Sequence, residues 1–183
     1  MKLLNSKQFL IDLNFRNFLI LSILLSPFFA FNQVKSNYSL KILGVVQDGG
    51  LPHLGNNKTC CENIQQNKFV TSIMLINNEN NESYLFDASP DINHQLNFMG
   101  DRIKKDLKGI FLTHAHIGHY TGLMYFGREA LNSNLVNVYA MPRMKKFLEE
   151  NGPWSQLVSL KNILITEINN NSQLSIDLNI IIQ

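Results

Sequence analysis

The 183-residue sequence predicts an α/β domain built in layers around a mixed sheet. Three observations carry that prediction. Runs rich in branched and aromatic residues stand close together at 40–46, 70–76 and 83–87. Beyond residue 89, helix-like and strand-like segments alternate. The stretch 174–182 alternates apolar and polar residues at period two, as a half-buried strand does. Strands, then strand–helix alternation, then strands again is the order of a layered α/β domain.

Each element has a local reason. The run Leu40–Val46 ends at Gln47-Asp48-Gly49-Gly50-Leu51-Pro52, a strong turn signal, and 53–67 reads as a loop. The polar turn 77–81 joins the next two strands into a hairpin. Ser89 can cap a helix, Pro90 suits its first position and Asp91 complements its dipole. Ile92, Leu96 and Met99 give that helix one apolar face, and Gly100 ends it. Ile103 and Leu107 suggest a further helical turn before a short strand, Lys108–Thr113. A helix over 121–131, a strand over Val136–Ala140 and a helix opened by Pro142 follow. Met144, Phe147 and Leu148 face one way on the last of these, which Asn151-Gly152-Pro153 closes. Strands over 163–168 and 174–182 complete the order.

Composition sets the class. Apolar residues make up 45% and charged residues 16%, the balance of a globular chain. Net charge is +2, and the basic residues are scattered rather than striped, which argues against nucleic acid as a partner. Lys2, Lys7 and Arg16 precede an apolar run from Phe18 to Phe31, the plan of a secretory signal. The run is short of the ~20 residues that a membrane-spanning helix needs. Residues 1–32 are therefore read as a signal peptide, with an uncleaved N-terminal anchor as the alternative, and the domain as 38–183. The expected location is periplasmic or secreted, with a membrane association only if the leader is retained. The two cysteines, Cys60 and Cys61, are adjacent, which excludes a disulfide framework. Four glycosylation-type sequons, at Asn37, Asn57, Asn81 and Asn170, fit chance in an Asn-rich chain.

The chemistry concentrates at Thr113-His114-Ala115-His116-Ile117-Gly118-His119. At the end of a strand, positions two apart point to the same side, so His114 and His116 can reach one metal ion. Gly118 can take the positive φ of a tight turn, swinging His119 back toward the same cavity just before a helix. The dipole at a helix start disfavours a protonated ring, and a metal ligand must be neutral. Three imidazoles imply zinc or another divalent ion that favours nitrogen.

Three tracts, in order, also carry a resemblance. They are LGVVQDGG at 43–50 with Pro52 and His53, LFDASP at 85–90, and LTHAHIGHYTGL at 112–123. Together they resemble the metallo-β-lactamase fold, and within it the branch of the pyrroloquinoline quinone (PQQ) biosynthesis B proteins. The resemblance implies an αββα sandwich, of which this chain is expected to hold the N-terminal part. It implies that His114 and His116 serve one metal and His119 a second, with the remaining ligands later in the fold. No His follows His119, and Gly118 stands where the family motif has a metal-binding Asp, so one zinc ion is expected rather than two, with iron as an alternative. It also implies a supporting role at the site for Asp87, weighed against simple capping or turn bonding, and substrate contact for Asp48, in a loop near it, weighed against stabilisation of the turn.

Other candidates are weaker. His53, Cys60 and Cys61 are weighed as a second, structural metal site against a pair of ordinary loop thiols. His94 is read as a surface residue and Tyr120 as a packing residue. The leading expectation is an exported hydrolase in which a metal-activated water attacks an ester, amide, lactam or phosphoester of a small molecule. The rivals are an inactive truncated remnant or exported binding protein, and oxidase-type chemistry as in the PQQ branch.

Overall fold

The structure is a computed structural model that describes residues 36–56, 68–176 and 180–182. Six strands pair in sequence order to form one sheet. Strands β1 (Tyr38–Gly44), β2 (Ser72–Asn77) and β3 (Ser83–Phe86) run antiparallel. Strands β4 (Leu107–Phe111), β5 (Val136–Ala140) and β6 (Ile163–Glu167) continue from β3 in parallel. The mixed sheet follows from the connections, because a short turn suffices for a hairpin whereas parallel neighbours need a crossover.

Those crossovers are helical and short. Between β3 and β4 come α1 (Ile92–Leu96), a 3₁₀ turn (Asn97–Arg102) and α2 (Ile103–Asp106). Between β4 and β5 come α3 (Ile117–Tyr120) and a 3₁₀ turn (Thr121–Phe126). Between β5 and β6 come α4 (Pro142–Glu150) and α5 (Trp154–Ser159).

One sheet face is the core. Met74, Leu85, Ile110, Val138 and Ile165 stand in register across five strands and are buried. Ile92, Leu96, Leu123, Phe126, Met144, Leu148 and Leu157 pack onto them from the crossovers. Burying one such side chain stabilises the fold by about 1.5–3 kcal/mol, so this single layer outweighs the weak propensity of four- and five-residue helices.

The opposite face is apolar too, but less covered. Phe111 stacks between Phe86 and Tyr139, with ring centroids 5.1 and 4.4 Å apart, and burial pushes the Tyr139 hydroxyl above its ordinary pKa. Leu40, Ile42, Ile73 and Leu164 remain exposed beside them. A two-stranded ribbon, β7 (Leu174–Ser175) with β8 (Ile181–Ile182), reaches this face where the Tyr84 hydroxyl donates to the Ile176 carbonyl at 3.0 Å.

Several expectations change. The strand expected over 174–182 is two short strands paired with each other, and this self-pairing satisfies their backbone groups locally. The helix expected over 121–131 is instead α3 and a 3₁₀ turn, beginning at Ile117 and ending at Phe126. Gly118 therefore lies inside a helical turn, and its φ is not positive. Asp91, not Ser89, is the N-cap residue of α1; its carboxylate makes no capping bond to the helix and accepts the Val70 N–H at 2.8 Å, while Ser89 Oγ accepts the Asp91 N–H at 3.1 Å. The helix α5 falls where no helix was expected. The leader at 1–32, the Asn57 sequon, Cys60 and Cys61 lie outside the described residues. Among the described residues, no helix is long and apolar enough to cross a membrane.

The exposed apolar strip predicts self-association. Light scattering of the purified chain is expected to show concentration-dependent oligomers. Ile42→Thr with Leu164→Thr is expected to reduce them while shifting stability by no more than about 0.5 kcal/mol per site. A monodisperse wild-type monomer that unfolds cooperatively would contradict this.

Candidate metal centre

The site assembles at the ends of β3 and β4, where the two parallel strands deliver their next residues side by side. Asp87 follows β3 directly, and its N–H donates to the Phe111 carbonyl at 2.8 Å. Its backbone is left-handed (φ 67°), a conformation that costs a non-glycine residue energy and is held here by its neighbours. Ser72 on β2 supplies one of those holds, donating its hydroxyl to the Asp87 carbonyl at 2.9 Å. The Asp87 carboxylate is thereby buried and turned toward the histidine segment.

Thr113 fixes the carboxylate. Its N–H donates to Asp87 Oδ1 at 2.8 Å, and its hydroxyl lies 3.0 and 2.9 Å from the two carboxylate oxygens. The same hydroxyl lies 2.9 Å from His114 Nδ1. Nothing in composition singled out Thr113. Its place immediately before the first histidine was the only signal.

His119 is the centre of the arrangement. The ring is buried, with Nδ1 at 2.7 Å from Asp87 Oδ2 and Nε2 at 2.9 Å from Asp48 Oδ1. His114 lies against it, ring centroids 4.0 Å apart, and His114 Nε2 is 3.0 Å from His116 Nδ1. His116 is exposed (side chain 72%) and sits 3.3 Å from the other oxygen of Asp48. The segment thus brings all three histidines together, and the order of approach to Asp48 and Asp87 places His119 deepest.

Asp48 arrives from the loop after β1. That loop is tied down by Val45 and Val46 N–H groups, which both donate to the Phe69 carbonyl at 3.0 and 3.1 Å. The carboxylate faces the imidazoles and is about one-third exposed.

The donor atoms suit a divalent ion. Asp48, His114 and His119 each offer one ligand atom, and these atoms lie within 4.8 Å of one another. One carboxylate and two imidazoles form a ligand set that zinc and its neighbours accept. Asp87 is the partner such a ligand needs: accepting the Nδ1 proton of His119 leaves Nε2 as the free lone pair. A neutral ring has one N–H to give, and with that N–H at Asp87 a metal ion at Nε2 would complete the contact with Asp48.

Two glycines make this packing feasible. A Cβ at Gly122 would stand 2.1 Å from the Ser89 carbonyl oxygen, so the 3₁₀ turn can rest on Ala88 and Ser89 only with glycine there. The Gly122 N–H then donates to the Ala88 carbonyl at 2.9 Å, and the Ala88 N–H donates to the His119 carbonyl at 2.8 Å. At Gly118 a Cβ would stand 2.7–2.8 Å from Cα, Cβ and Oδ1 of Asp48. Close approach, not a positive φ, is the reason for glycine at 118.

The remaining candidates lie elsewhere. His53 is exposed, its Nδ1 3.0 Å from the Leu54 carbonyl, and its proposed Cys60 and Cys61 partners are outside the described residues. His94 is exposed and stacks on Phe69. Tyr120 is buried against Phe147 and Trp154, a packing role. Two open cavities flank the cluster. One, about 390 Å³, is lined by Asp48, Gly49, Lys68 and His94 among others; the second, about 440 Å³, by Thr113, His114, Arg143 and Phe147.

Comparison with known proteins identifies the fold. A family model described as the β-lactamase superfamily domain matches residues 82–182. Among solved structures, the chain is similar to Zn(2+)-bound PqqB from Methylobacterium extorquens (TM-score 0.62, 18% identity, 75% of this chain and 51% of that one). It is likewise similar to a new diphosphatase from the PhnP family (TM-score 0.59, 20% identity, 76% of this chain and 53% of that one). The chain thus spans about half the length of these structures. No curated protein matches it in sequence.

The Asp87 node predicts a measurable cost. Asp87→Ala leaves the buried His119 Nδ1 and the Thr113 N–H without their acceptor, and is expected to destabilise the fold by about 2–4 kcal/mol in urea unfolding. Gly122→Ala is expected to cost about 1–3 kcal/mol, through overpacking against Ser89. Wild-type stability in both variants would show that the 87–89 segment does not bear the site.

Proposed function

The chain belongs to the β-lactamase superfamily, and on that premise we propose that it serves as an exported, metal-dependent hydrolase acting on a small-molecule substrate. The observation that carries the reading is the convergence of His114, His116 and His119 on one spot, with Asp87 behind the buried ring. A fold alone would not select a chemistry; a cluster of imidazoles with an orienting carboxylate does.

His114, His116 and His119 are the residues proposed to hold the ion. Zinc is the first candidate, because the M. extorquens neighbour is a Zn(2+)-bound protein, and one ion fits the few ligands gathered here better than two. Such an ion supplies Lewis acidity and lowers the pKa of a water it binds to about 7, which makes a nucleophile available at neutral pH. Asp87 holds the Nδ1 proton of His119 and so keeps Nε2 in its ligating form. Thr113 holds Asp87. Arg143 lines the same cavity as His114 and offers a cation to an anionic substrate group. A phosphoester is the substrate class to test first, since one structural neighbour is a diphosphatase. Ester, amide and lactam remain the other classes. Export rests on the basic residues and apolar run of the leader.

The test is metal content and hydrolysis measured together. The purified full chain is expected to retain about one zinc per chain and to hydrolyse an activated phosphodiester. His114→Ala with His116→Ala is expected to lower bound metal and abolish turnover. Equal zinc in both proteins would sink the site. Expression with the natural leader is expected to give an exported product whose N-terminus lies beyond about residue 32; an intact leader on a membrane-bound product would favour the anchor.

A further inference from the structure

The loop after β1 has more to do with the metal than with substrate. Asp48 lies 71 residues before His119 in sequence, yet its two carboxylate oxygens are each spent on a histidine: Oδ1 on His119 Nε2 at 2.9 Å, and Oδ2 on His116 Nδ1 at 3.3 Å. Asp48 also borders the flanking cavity of about 390 Å³, but both of its carboxylate oxygens lie within contact distance of an imidazole. Its ligand atom falls within 4.8 Å of those of His114 and His119. His119 Nδ1 is already engaged by Asp87, so Nε2, the atom that Asp48 meets, is the one left to bind an ion.

The packing beside it is as specific. Gly118 adjoins His119, and the volume its side chain would fill is held by Asp48 backbone and side chain, at 2.7–2.8 Å. Gly118 is buried, and its φ needs no glycine. Alanine is the better helix former, so local propensity gives no reason for glycine inside α3. The close approach of Asp48 gives one.

We infer that Asp48 is a metal ligand, the carboxylate of the site, and that Gly118 is glycine so that the loop after β1 can bring it there. The ion would then join two parts of the chain, the loop at 45–51 and the turn at 114–119. Resting on the proposed metal site, this inference replaces a substrate-contacting Asp48 with a ligating one.

The experiment is a metal-binding series on the full chain, read as zinc affinity by competition with a chromophoric chelator and as the visible spectrum of the cobalt-substituted protein. Far-UV circular dichroism of each metal-free protein checks folding. Asp48→Asn keeps shape and loses the anionic ligand. It is expected to bind zinc at least about tenfold more weakly and to change the cobalt spectrum. Gly118→Ala is expected to weaken zinc comparably, by pushing the loop away. In an Asp48→Ala background, Gly118→Ala is expected to have no further effect on zinc affinity, because the ligand it displaces is already gone. Unchanged affinity and an unchanged cobalt spectrum in Asp48→Asn would overturn the inference, and so would losses at 48 and 118 that simply multiply. If the wild type itself takes up no metal, the proposed metal site fails first, which is a different result from metal bound equally with and without Asp48.

Discussion

The structure turns on one buried imidazole between two carboxylates. His119 meets Asp87 at one nitrogen and Asp48 at the other. An unpaired polar group costs most where water is excluded, so each of these contacts constrains what surrounds it. Asp87 must leave β3 in a left-handed conformation, and Ser72 and Phe111 hold it there. Thr113 must follow β4 with its N–H and hydroxyl turned to Asp87. Strands β3 and β4 must lie parallel and adjacent for these two residues to meet. The sheet order is thereby linked to the chemistry at its edge.

The second constraint is closeness. Helical turns this short gain little from their own hydrogen bonds. Their positions come instead from what they touch. Gly122 lets the turn after α3 lie on the carbonyls of Ala88 and Ser89, and Gly118 leaves room for the loop after β1. His119 sits between these two glycines, so one turn of chain is pinned from opposite sides. The cluster is preorganised by backbone contact as much as by side-chain bonding, which is what a metal ligand set requires.

The sequence was most legible where a single element explains itself. Strand β5 and helix α4 fall where branched residues and Pro142 place them, and Met144 and Leu148 face the core as their spacing requires. The three histidines were legible as a clustered motif after an apolar strand, and Asp87 through the family resemblance. Less legible was anything that depends on contact between distant segments. Asp48 and Gly118 are 70 residues apart, and neither looks unusual in its own neighbourhood: one suits a turn, the other a bend. The pairing of β7 with β8 was hidden for a related reason. Alternation at period two describes one nine-residue strand and a ribbon folded on itself equally well. The role of Thr113, named only as the head of the histidine segment, was hidden because its partner, Asp87, follows another strand.

The family places the fold, and the cluster supplies the reason to expect a metal in it. The most direct measurement is zinc-edge X-ray absorption on the metal-loaded full chain. The account predicts a first shell of nitrogen and oxygen only, with the outer-shell scattering of at least two imidazoles and one carboxylate. A shell containing sulfur would move the ion to Cys60 and Cys61 and contradict it.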